Sequence, residues 1–378
     1  MKITDIQVLR RSYMHESPPW PYTKPTDYYP EFRETTPMVA ANVAYNSFLK
    51  IATDSGIYSI IEVSDDVADI VVKLKKYIIN KEVDETELIF DQLFRVTLPY
   101  GRKGLVMMAI STIDLLLWDL KGKELNKPVY KLLGGPTREE VPAYASHLHP
   151  TDLKELEKEA LEYVEEGYTA MKMRLCCGPA DGPKGMEKNE ELVKIVRNAV
   201  GYNVELMVDV WMAWNLKYAV KMLRRLEKYE IDWIEEPLPP DEIEGYKLLT
   251  KMVEVPVAAG EHAYGVWDFK ALLDSGVYIL QPDAMWSGGI TTLKKVQALA
   301  EAYGASVIPH TSIPYNLHFL FSCPAHICPM AEFLTKYRWM EDFMVNPPRP
   351  QKGKFILSDF KAPGFGVKYD EDAIVKSR

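Results

Sequence analysis

The pattern of apolar and polar positions changes near residue 140, and each side of that point predicts a different kind of fold. Before it, three runs alternate with the period of two that is typical of half-buried strands, and two stretches show helical periodicity. The predicted strands are Ile3–Leu9, Tyr45–Ala52 and Ile57–Val63, and the predicted helices are Asp66–Ile79 and Glu85–Phe94. A strongly apolar run, Leu105–Leu120, predicts a buried helix. This part of the chain is expected to be an α+β domain.

From residue 140 onward, short apolar runs alternate with amphipathic helical stretches. The runs are Val141–Ala145, Ala170–Leu175, Leu206–Val210, Trp233–Ile234, Val255–Ala259, Tyr278–Leu280, Ala305–Ile308 and Met330–Phe333. This alternation predicts the α/β class and a modified (β/α) barrel of the TIM type. We expect an N-terminal α+β capping domain over residues 1–135, the barrel over 136–345, and a C-terminal segment over 346–378 that packs back on the capping domain.

A stretch rich in proline and aromatic residues, Ser17–Pro37, interrupts the first pattern. So many prolines break regular structure, and they predict a long loop. Loops of this length usually cover a site or are disordered. The aromatic residues favour an ordered lid over the barrel.

Composition narrows the possible partners. A chain of 378 residues suits a barrel of about 250 residues with an accessory domain. The net charge of −9 argues against binding to nucleic acid or to an anionic membrane surface, and leaves a small molecule as the expected partner. The N-terminus begins as a strand rather than a signal peptide, and no apolar run approaches the length of a membrane span, so we expect a cytoplasmic protein.

The four cysteines do not change this interpretation. Cys176 and Cys177 are adjacent, Cys323 and Cys328 are five positions apart, and none forms a CxxC pair. A disulfide framework or a zinc knuckle is therefore not expected, and reduced thiols are.

Charged and polar residues stand at the ends of the predicted barrel strands. They are Lys172, Asp209, Glu235, Glu261, Asp283, His310 and Glu332. Asp209, Glu235 and Glu261 follow one another at steps of 26 residues, and Asp283 precedes His310 by 27. Each step equals one β/α unit, so the side chains should converge on the C-terminal face of the barrel, where active sites of this fold lie.

Asp209, Glu235 and Glu261 form the predicted metal site. Three converging carboxylates repel one another unless a cation lies between them. Their ligand atoms are all oxygens, which favours Mg²⁺ over zinc. A magnesium ion held in this way keeps open positions for a bidentate substrate.

His310 is the predicted proton carrier. A carboxylate such as Asp283, bonded to one imidazole nitrogen, fixes the tautomer and raises the basicity of the other nitrogen. Lys172 is expected on the opposite side of the barrel. A base that faces a metal-bound carboxylate indicates proton abstraction beside that carboxylate. A structural histidine and a lysine in a structural ion pair are the competing interpretations.

Several longer segments resemble a known family. They are GLVMMAISTIDLLLWDLKGKELNKPVYKLLGG, LMVDVWM, WIEEPLPP, GEHAYG, QPDAMWSGGITTL, VIPHTS, EFL and APGFGV. From about Gly104 onward the chain is similar to the enolase superfamily, in its mandelate racemase and muconate lactonizing enzyme group. Within that group it resembles the L-rhamnonate dehydratases.

The resemblance implies a Mg²⁺-dependent hydro-lyase that converts a sugar acid (an aldonate) to a 2-keto-3-deoxy sugar acid. It implies Asp209, Glu235 and Glu261 as ligands, His310 as the group that takes the C2 proton and helps the C3 hydroxyl to leave, Asp283 as the residue that orients His310, and Glu332 as a hydrogen-bond partner of the substrate. It also implies a homo-oligomer, commonly an octamer.

Further residues are candidates for substrate contact. Trp211 and His262 follow the first and third predicted ligands in the sequence, and Arg33 lies in the expected lid. Arg174, in the motif Lys172-Met-Arg174, stands where the rhamnonate enzymes have a non-basic residue. Because of this difference, the resemblance does not identify which sugar acid is the substrate.

Two other functions remain as alternatives. A racemase or epimerase of a 2-hydroxy acid needs a base on each face of the carbon, and Lys172 opposite His310 is such a pair in principle. A non-catalytic barrel protein is the alternative outside enzymology, although such a protein would be expected to lose ligands or the base.

Overall fold

The computed structural model describes residues 1–12, 22–33, 45–149, 152–336 and 341–376. The predicted Ser17–Pro37 loop therefore lies only partly inside the described residues. Its described part contains two short 3₁₀ turns, Pro25–Tyr28 and Pro30–Phe32. The backbone N–H of Thr23 donates to the carbonyl of Leu175 at 2.8 Å, which holds the start of this part against the barrel.

A three-stranded antiparallel sheet and a layer of helices form the N-terminal part. The strands β1 (Ile3–Ser12), β2 (Tyr45–Thr53) and β3 (Tyr58–Ser64) pair in that order. The helices are α1 (Asp65–Leu74), α2 (Thr86–Thr97), α3 (Leu105–Glu124) and α4 (Val129–Leu132). The side chain of Ser64 accepts a hydrogen bond from the Val67 N–H and so caps the start of α1. The predicted α+β arrangement is confirmed.

Helix α3 joins the two parts of the molecule. Most of its residues are buried, as its apolar sequence predicts. On the barrel side, Asp114 accepts hydrogen bonds from the backbone and the hydroxyl of Thr291, at 3.1 and 2.5 Å. Because Asp114 and Thr291 are fully buried there, α3 fixes the position of the N-terminal part against the barrel.

Eight parallel strands alternate with helices in the second part. The strands are β4 (Glu140–Leu148), β5 (Ala170–Arg174), β6 (Glu205–Asp209), β7 (Ile234–Glu235), β8 (Val257–Ala259), β9 (Ile279–Leu280), β10 (Ser306–Val307) and β11 (Ala331–Leu334). The helices between them are α5 (Leu153–Glu165), α6 (Gly182–Val200), α7 (Leu216–Leu226), α8 (Ile243–Met252), α9 (Gly265–Asp274), α10 (Gly289–Tyr303) and α11 (Pro314–Ser322). The sheet order β10-β9-β8-β7-β6-β5-β4-β11 confirms the predicted barrel.

Local sequence sets where these helices begin and end. Asp152 and Asn215 cap α5 and α7 by accepting backbone N–H bonds. Pro314 occupies the first turn of α11, where its missing N–H has no helical partner to lose. Among the described residues, no helix is both long and apolar enough to cross a bilayer.

The C-terminal segment contacts both parts of the molecule. Strand β12 (Lys354–Ile356) pairs antiparallel with β4 of the barrel. The Phe365 N–H donates to Asp119 of α3 at 2.7 Å, and a last helix, α12 (Glu371–Lys376), follows. A hydrogen bond thus joins the segment to α3, and the pairing with the barrel strand is a contact that the sequence did not indicate.

Candidate active site

The register of the parallel strands brings the predicted ligands together. Arg174 pairs with Asp209 across β5 and β6, and Asp209 pairs with Glu235 across β6 and β7. Residues in register on neighbouring strands point to the same side of a sheet. Asp209, Glu235 and Glu261 are 1%, 1% and 5% exposed, so the carboxylates meet inside the barrel mouth and away from water.

Lys172 lies at the centre of this cluster. Its Nζ is 2.6 Å from Glu235, 2.7 Å from Glu332 and 3.5 Å from Asp209. Glu332 is held further by the hydroxyl of Ser146 at 2.7 Å and by the N–H of Thr311 at 2.8 Å. A single buried ammonium therefore links three of the strand-end carboxylates.

Burial and charge shift these groups in different directions. Burial raises the pKa of Glu235 to about 8, against the opposing effect of Lys172. Burial also acts to lower the pKa of Lys172, but Glu235 and Glu332 outweigh it and raise that pKa well above its usual value. Burial would raise the pKa of Glu332, but Lys172 and His310 lower it to about 2. Lys172 is therefore an ammonium ion and not a free base near neutral pH.

His310 is held between two carboxylates. Its Nδ1 lies 2.9 Å from Asp283 Oδ2, and its Nε2 lies 3.4 Å from Glu261 Oε1. The Met285 N–H donates to the other oxygen of Asp283 at 2.7 Å, and Asn316 donates to the His310 carbonyl at 2.6 Å. The ring is thus oriented with Nε2 toward the carboxylate cluster, as the spacing of Asp283 and His310 predicts.

Electrostatics favour the charged form of His310. Burial acts to lower its pKa, but the charge of Glu261, the hydrogen bond to Asp283 and the charge of Glu332 raise it to about 10. A charged imidazolium stabilised by neighbouring carboxylates is the state that a histidine reaches after it has accepted a proton.

Glu236 and His262 form a second group beside the predicted ligands. Glu236 accepts the His262 N–H at 3.2 Å and lies 2.7 Å from His262 Nδ1. Glu236, Glu261 and His262 offer ligand atoms within 4.8 Å of one another. Asp209, Glu235 and Glu261 do not form such a group among the described residues, and Glu235 is paired with Lys172 at 2.6 Å. Both oxygens of Glu236 contact His262, and both oxygens of Glu235 are likewise bonded, one to Lys172 and one to Gln281.

A row of aromatic rings borders the carboxylates. Trp211, His262, Trp286 and His310 follow one another with centroid distances of 5.9, 5.6 and 5.6 Å. Trp286 lies between the two histidine rings and so limits their rotation. Trp211 and His262, which the sequence offers as substrate contacts, are thereby placed at the mouth of the same site.

The two candidate arginines lie in different surroundings. Arg174 is 6% exposed, its Nη2 is 3.0 Å from Asp209 Oδ2, and its guanidinium lies 4.8 Å from the Tyr22 ring centre. Arg33 pairs with Asp181 at 2.9 Å, and its side chain is 41% exposed. The structure brings Arg174 to the carboxylates, and no contact between Arg33 and them is present among the described residues.

The donor set fits a hard divalent cation. Asp209 Oδ2 is buried with no hydrogen-bond partner among the described residues, although it lies at ion-pair distance from Arg174. Burial raises the pKa of Glu235 and of Glu261, which shows that carboxylates here lack compensation from water. Carboxylate oxygens on neighbouring strand ends are the ligands that Mg²⁺ prefers.

Several residues of the site were not singled out from the sequence. Gln281 donates to Glu235 at 2.5 Å, and Ser146 donates to Glu332. Trp286 packs against the histidine rings, and Asn316 donates to the backbone carbonyl of His310. Gln281 lies two residues before Asp283, so its place at a strand end was a usable signal. The other three contacts depend on packing between distant elements.

Comparison with known proteins agrees with this arrangement. Residues 33–134 match the N-terminal domain of mandelate racemase / muconate lactonizing enzyme, and residues 155–373 match the enolase C-terminal domain-like family. A relative from Caldivirga maquilingensis is 38% identical over 93% of this chain and 88% of its own. L-rhamnonate dehydratase of Saccharopolyspora erythraea is 36% identical over 91% of this chain and 88% of its own.

A solved structure shares the whole fold. Rhamnonate dehydratase from Gibberella zeae, solved in complex with Mg, superposes with a TM-score of 0.90 at 31% identity, over 100% of this chain and 95% of that one. The resemblance seen in the motifs is thus confirmed over nearly the full length. The chain belongs to the enolase superfamily, in the mandelate racemase / muconate lactonizing enzyme group.

Proposed function

We propose that the protein is a Mg²⁺-dependent sugar-acid dehydratase that acts on an aldonate of the L-rhamnonate type. The proposal rests on the placement of the His310 ring between two carboxylates. Its Nδ1 is 2.9 Å from Asp283, and its Nε2 faces Glu261 at 3.4 Å. The relatives from S. erythraea and G. zeae bear the name of this activity, and this chain matches them over at least 91% of its length.

Asp209, Glu235 and Glu261 are the residues that would hold the cation. When bound, Mg²⁺ stabilises the negative charge that develops on the substrate carboxylate as the neighbouring carbon loses its proton. Lys172 adds a buried positive charge to the same region, because it contacts Glu235 and Glu332. Glu332, fixed by Ser146 and Thr311, supplies carboxylate oxygens for a substrate hydrogen bond.

His310 moves the proton in the proposed reaction. Its Nε2 accepts the proton as the C2–H bond breaks, and Asp283 stabilises the imidazolium through Nδ1. The electron pair from C2 forms a C2–C3 double bond as the C3–O bond breaks, and His310 returns its proton to the leaving oxygen. Water departs, and the remaining enol takes a proton at C3 and releases the proton of its C2 hydroxyl to become the 2-keto-3-deoxy acid.

The state of His310 depends on its neighbours. A base must start neutral, whereas the charges of Glu261 and Glu332 raise the pKa of His310 to about 10. Because Glu261 would also be a ligand of the cation, its charge would be partly offset there, and the pKa of His310 would fall toward the range in which imidazole accepts protons.

The racemase alternative has less support, because the relatives that this chain matches over most of its length bear the name of the dehydratase. Lys172, the second base that a racemase would need, is held in ion pairs with Glu235 and Glu332 at 2.6 and 2.7 Å. Arg174 carries a guanidinium that does not lose its proton in proteins. The non-catalytic alternative also has less support, since the three predicted ligands are buried and the partly buried His310 lies 3.4 Å from one of them, Glu261.

The residues proposed to contact the substrate lie at different distances from the carboxylate cluster. Arg174, His262 and Trp211 adjoin the carboxylate cluster, so we propose them as contacts to the substrate chain. Arg33 would have to leave Asp181 to reach the same place.

We also propose that the enzyme is a cytoplasmic homo-oligomer. Light scattering should give a multiple of 43.2 kDa, and a monomer would contradict this.

Activity against a panel of sugar acids tests the proposal. The panel contains rhamnonate, mannonate, fuconate, galactonate, gluconate, arabinonate and xylonate, and the assay detects 2-keto-3-deoxy products. We expect turnover of at least one acid with Mg²⁺ and none after chelation. Exchange of the C2 proton for solvent deuterium without loss of water would favour the racemase instead.

A further inference from the structure

Two buried polar side chains beside the proposed metal site have hydrogen-bonding atoms without partners. Arg174 uses Nη2 for Asp209, but its Nε and Nη1 are buried and bond to none of the described residues. The Nδ1 of His149 is likewise buried and unbonded within the described part of the chain. Buried polar atoms are nearly always hydrogen-bonded in folded proteins, so these atoms mark a place where a polar partner belongs.

These atoms belong to one continuous cluster. His149 directly follows β4, and Arg174 ends β5, so both stand at the C-terminal face of the barrel. The Tyr22 ring connects them, with its centre 4.8 Å from the Arg174 guanidinium and 6.2 Å from the His149 ring. Exposed fractions of 3%, 6% and 7% for Tyr22, Arg174 and His149 show that the cluster is shielded from bulk water.

We propose that Arg174 and His149, backed by Tyr22, form a subsite that binds hydroxyl groups of the substrate chain and selects which sugar acid is used. This inference rests on the proposed function. It adds His149 as a specificity-determining residue and assigns the class of group that is bound.

A hydroxyl matches these atoms better than a second carboxylate does. Arg174 offers only donors, whereas a neutral imidazole offers a donor and an acceptor. Burial, with Lys336 and Arg174 nearby, lowers the pKa of His149 to about 4, so the ring is neutral near pH 7. A hydroxyl both donates and accepts. The one carboxylate of an aldonate is needed at the metal, which leaves its hydroxyl groups for this subsite.

Binding without turnover tests the subsite directly. In a His310→Asn background, calorimetry with Mg²⁺ and the best acid of the panel measures the Kd of the unreacted complex. His149→Phe keeps a ring against Tyr22 but removes Nδ1, and we expect its Kd to rise about 10-fold or more. His149→Asn keeps a polar atom near the Nδ1 position and should recover most of the loss. His326→Phe, at an exposed histidine, is the matched control and should leave Kd unchanged.

Each of the following results would overturn a specific part of the proposal. An unchanged Kd in His149→Phe, with turnover by the wild type intact, removes the subsite and keeps the dehydratase. Equal losses in His149→Phe and His149→Asn assign His149 a packing role and also remove the subsite. Tighter binding of galactarate, a dicarboxylate, than of any aldonate overturns the hydroxyl assignment. If the wild type neither turns over nor binds any of the acids, the proposed function and the subsite are both overturned.

Discussion

At the scale of single residues, the neighbours Glu235 and Glu236 have different partners. Glu235 lies in register with Asp209 and contacts Lys172, whereas Glu236 contacts His262. We predict that Glu235→Gln lowers Mg²⁺ affinity by more than about 100-fold. Glu236→Gln should cost about 10–100-fold, the range typical of residues that support a ligand. Calorimetric titration with Mg²⁺ measures both.

The reverse order of these two effects would identify a different ligand set. If Glu236→Gln abolished binding while Glu235→Gln kept it, the group Glu236, Glu261 and His262 would hold the metal. The two substitutions are matched, because each replaces one buried carboxylate by its amide.

Lys172 gives a prediction on stability at the same scale. Removing one partner of a buried ion pair leaves uncompensated charge and costs about 3–5 kcal/mol. Lys172→Met, without added Mg²⁺, should therefore lower the free energy of unfolding strongly in a denaturant titration, because Glu235 and Glu332 lose their cation. Lys270→Met, which removes an exposed pair with Asp274, should have no measurable effect. Similar midpoints for both variants would show that Lys172 does not compensate these carboxylates.

The strand-end residues could be predicted because their positions follow from the β/α repeat. A step of 26 residues equals one β/α unit, so it places Asp209, Glu235 and Glu261 at or just beyond the ends of successive strands. The side-chain partners could not be predicted in the same way. The contact of Lys172 with Glu332 and the place of Trp286 between two histidine rings depend on distant elements, and spacing carries no signal for them.

At the scale of elements, a buried histidine connects three segments. His318 of α11 accepts the Tyr130 N–H through Nδ1 at 3.2 Å and packs edge-on against Phe360 and Phe365 of the C-terminal segment. Burial lowers its pKa to about 3. The unfolded chain binds a proton at this residue below about pH 6.5, whereas the folded chain does not until about pH 3.

Acid should therefore destabilise the protein through His318. The contribution of His318 to the free energy of unfolding is fully present above pH 6.5. It is lost as the pH falls toward 3, by up to about 1.4 kcal/mol per pH unit. His318→Gln should unfold with a shallower dependence on pH between 6.5 and 4 in denaturant titrations. The exposed His326→Gln is the control and should follow the wild type. Parallel curves for all three proteins would contradict this assignment.

The bounds of elements illustrate what a sequence pattern leaves out. Leu105–Leu120 predicts a buried helix, and α3 continues to Glu124, with Gly122 of its last turn close to Gly364 of the C-terminal segment. The run Tyr278–Leu280 predicts a strand, and the paired part is only Ile279–Leu280. Apolar character indicates that an element exists, but long-range hydrogen bonds decide where it ends.

At the scale of the whole molecule, a close backbone contact joins the C-terminal segment to α3. A Cβ on Gly122 would lie 2.5 Å from Gly364 Cα and 2.7 Å from its nitrogen, so Gly122→Ala must push the segment away. We predict a loss of about 1–3 kcal/mol, typical of overpacking, in thermal or denaturant unfolding. Gly245→Ala in α8 meets a side-chain atom, Leu238 Cδ1, at 3.0 Å rather than backbone, and should cost less than Gly122→Ala.

The same contact bears on the domain organisation. The division at residues 135 and 345 stays a proposal, since α3, β12 and Phe365 tie all three segments to one another. A Gly122→Ala variant as stable as the wild type would show that the C-terminal segment is not held by this contact.

The central claim is that His310 removes the C2 proton. The most direct test compares wild type with His310→Asn on the acid that the panel identifies, by following both product formation and exchange of the C2 proton in D₂O. We predict that His310→Asn loses about 10²–10⁴-fold in kcat, and loses C2 exchange equally, while its Mg²⁺ affinity stays close to that of the wild type. Turnover and exchange that survive in His310→Asn, with Mg²⁺ bound, would contradict the account and place the base elsewhere.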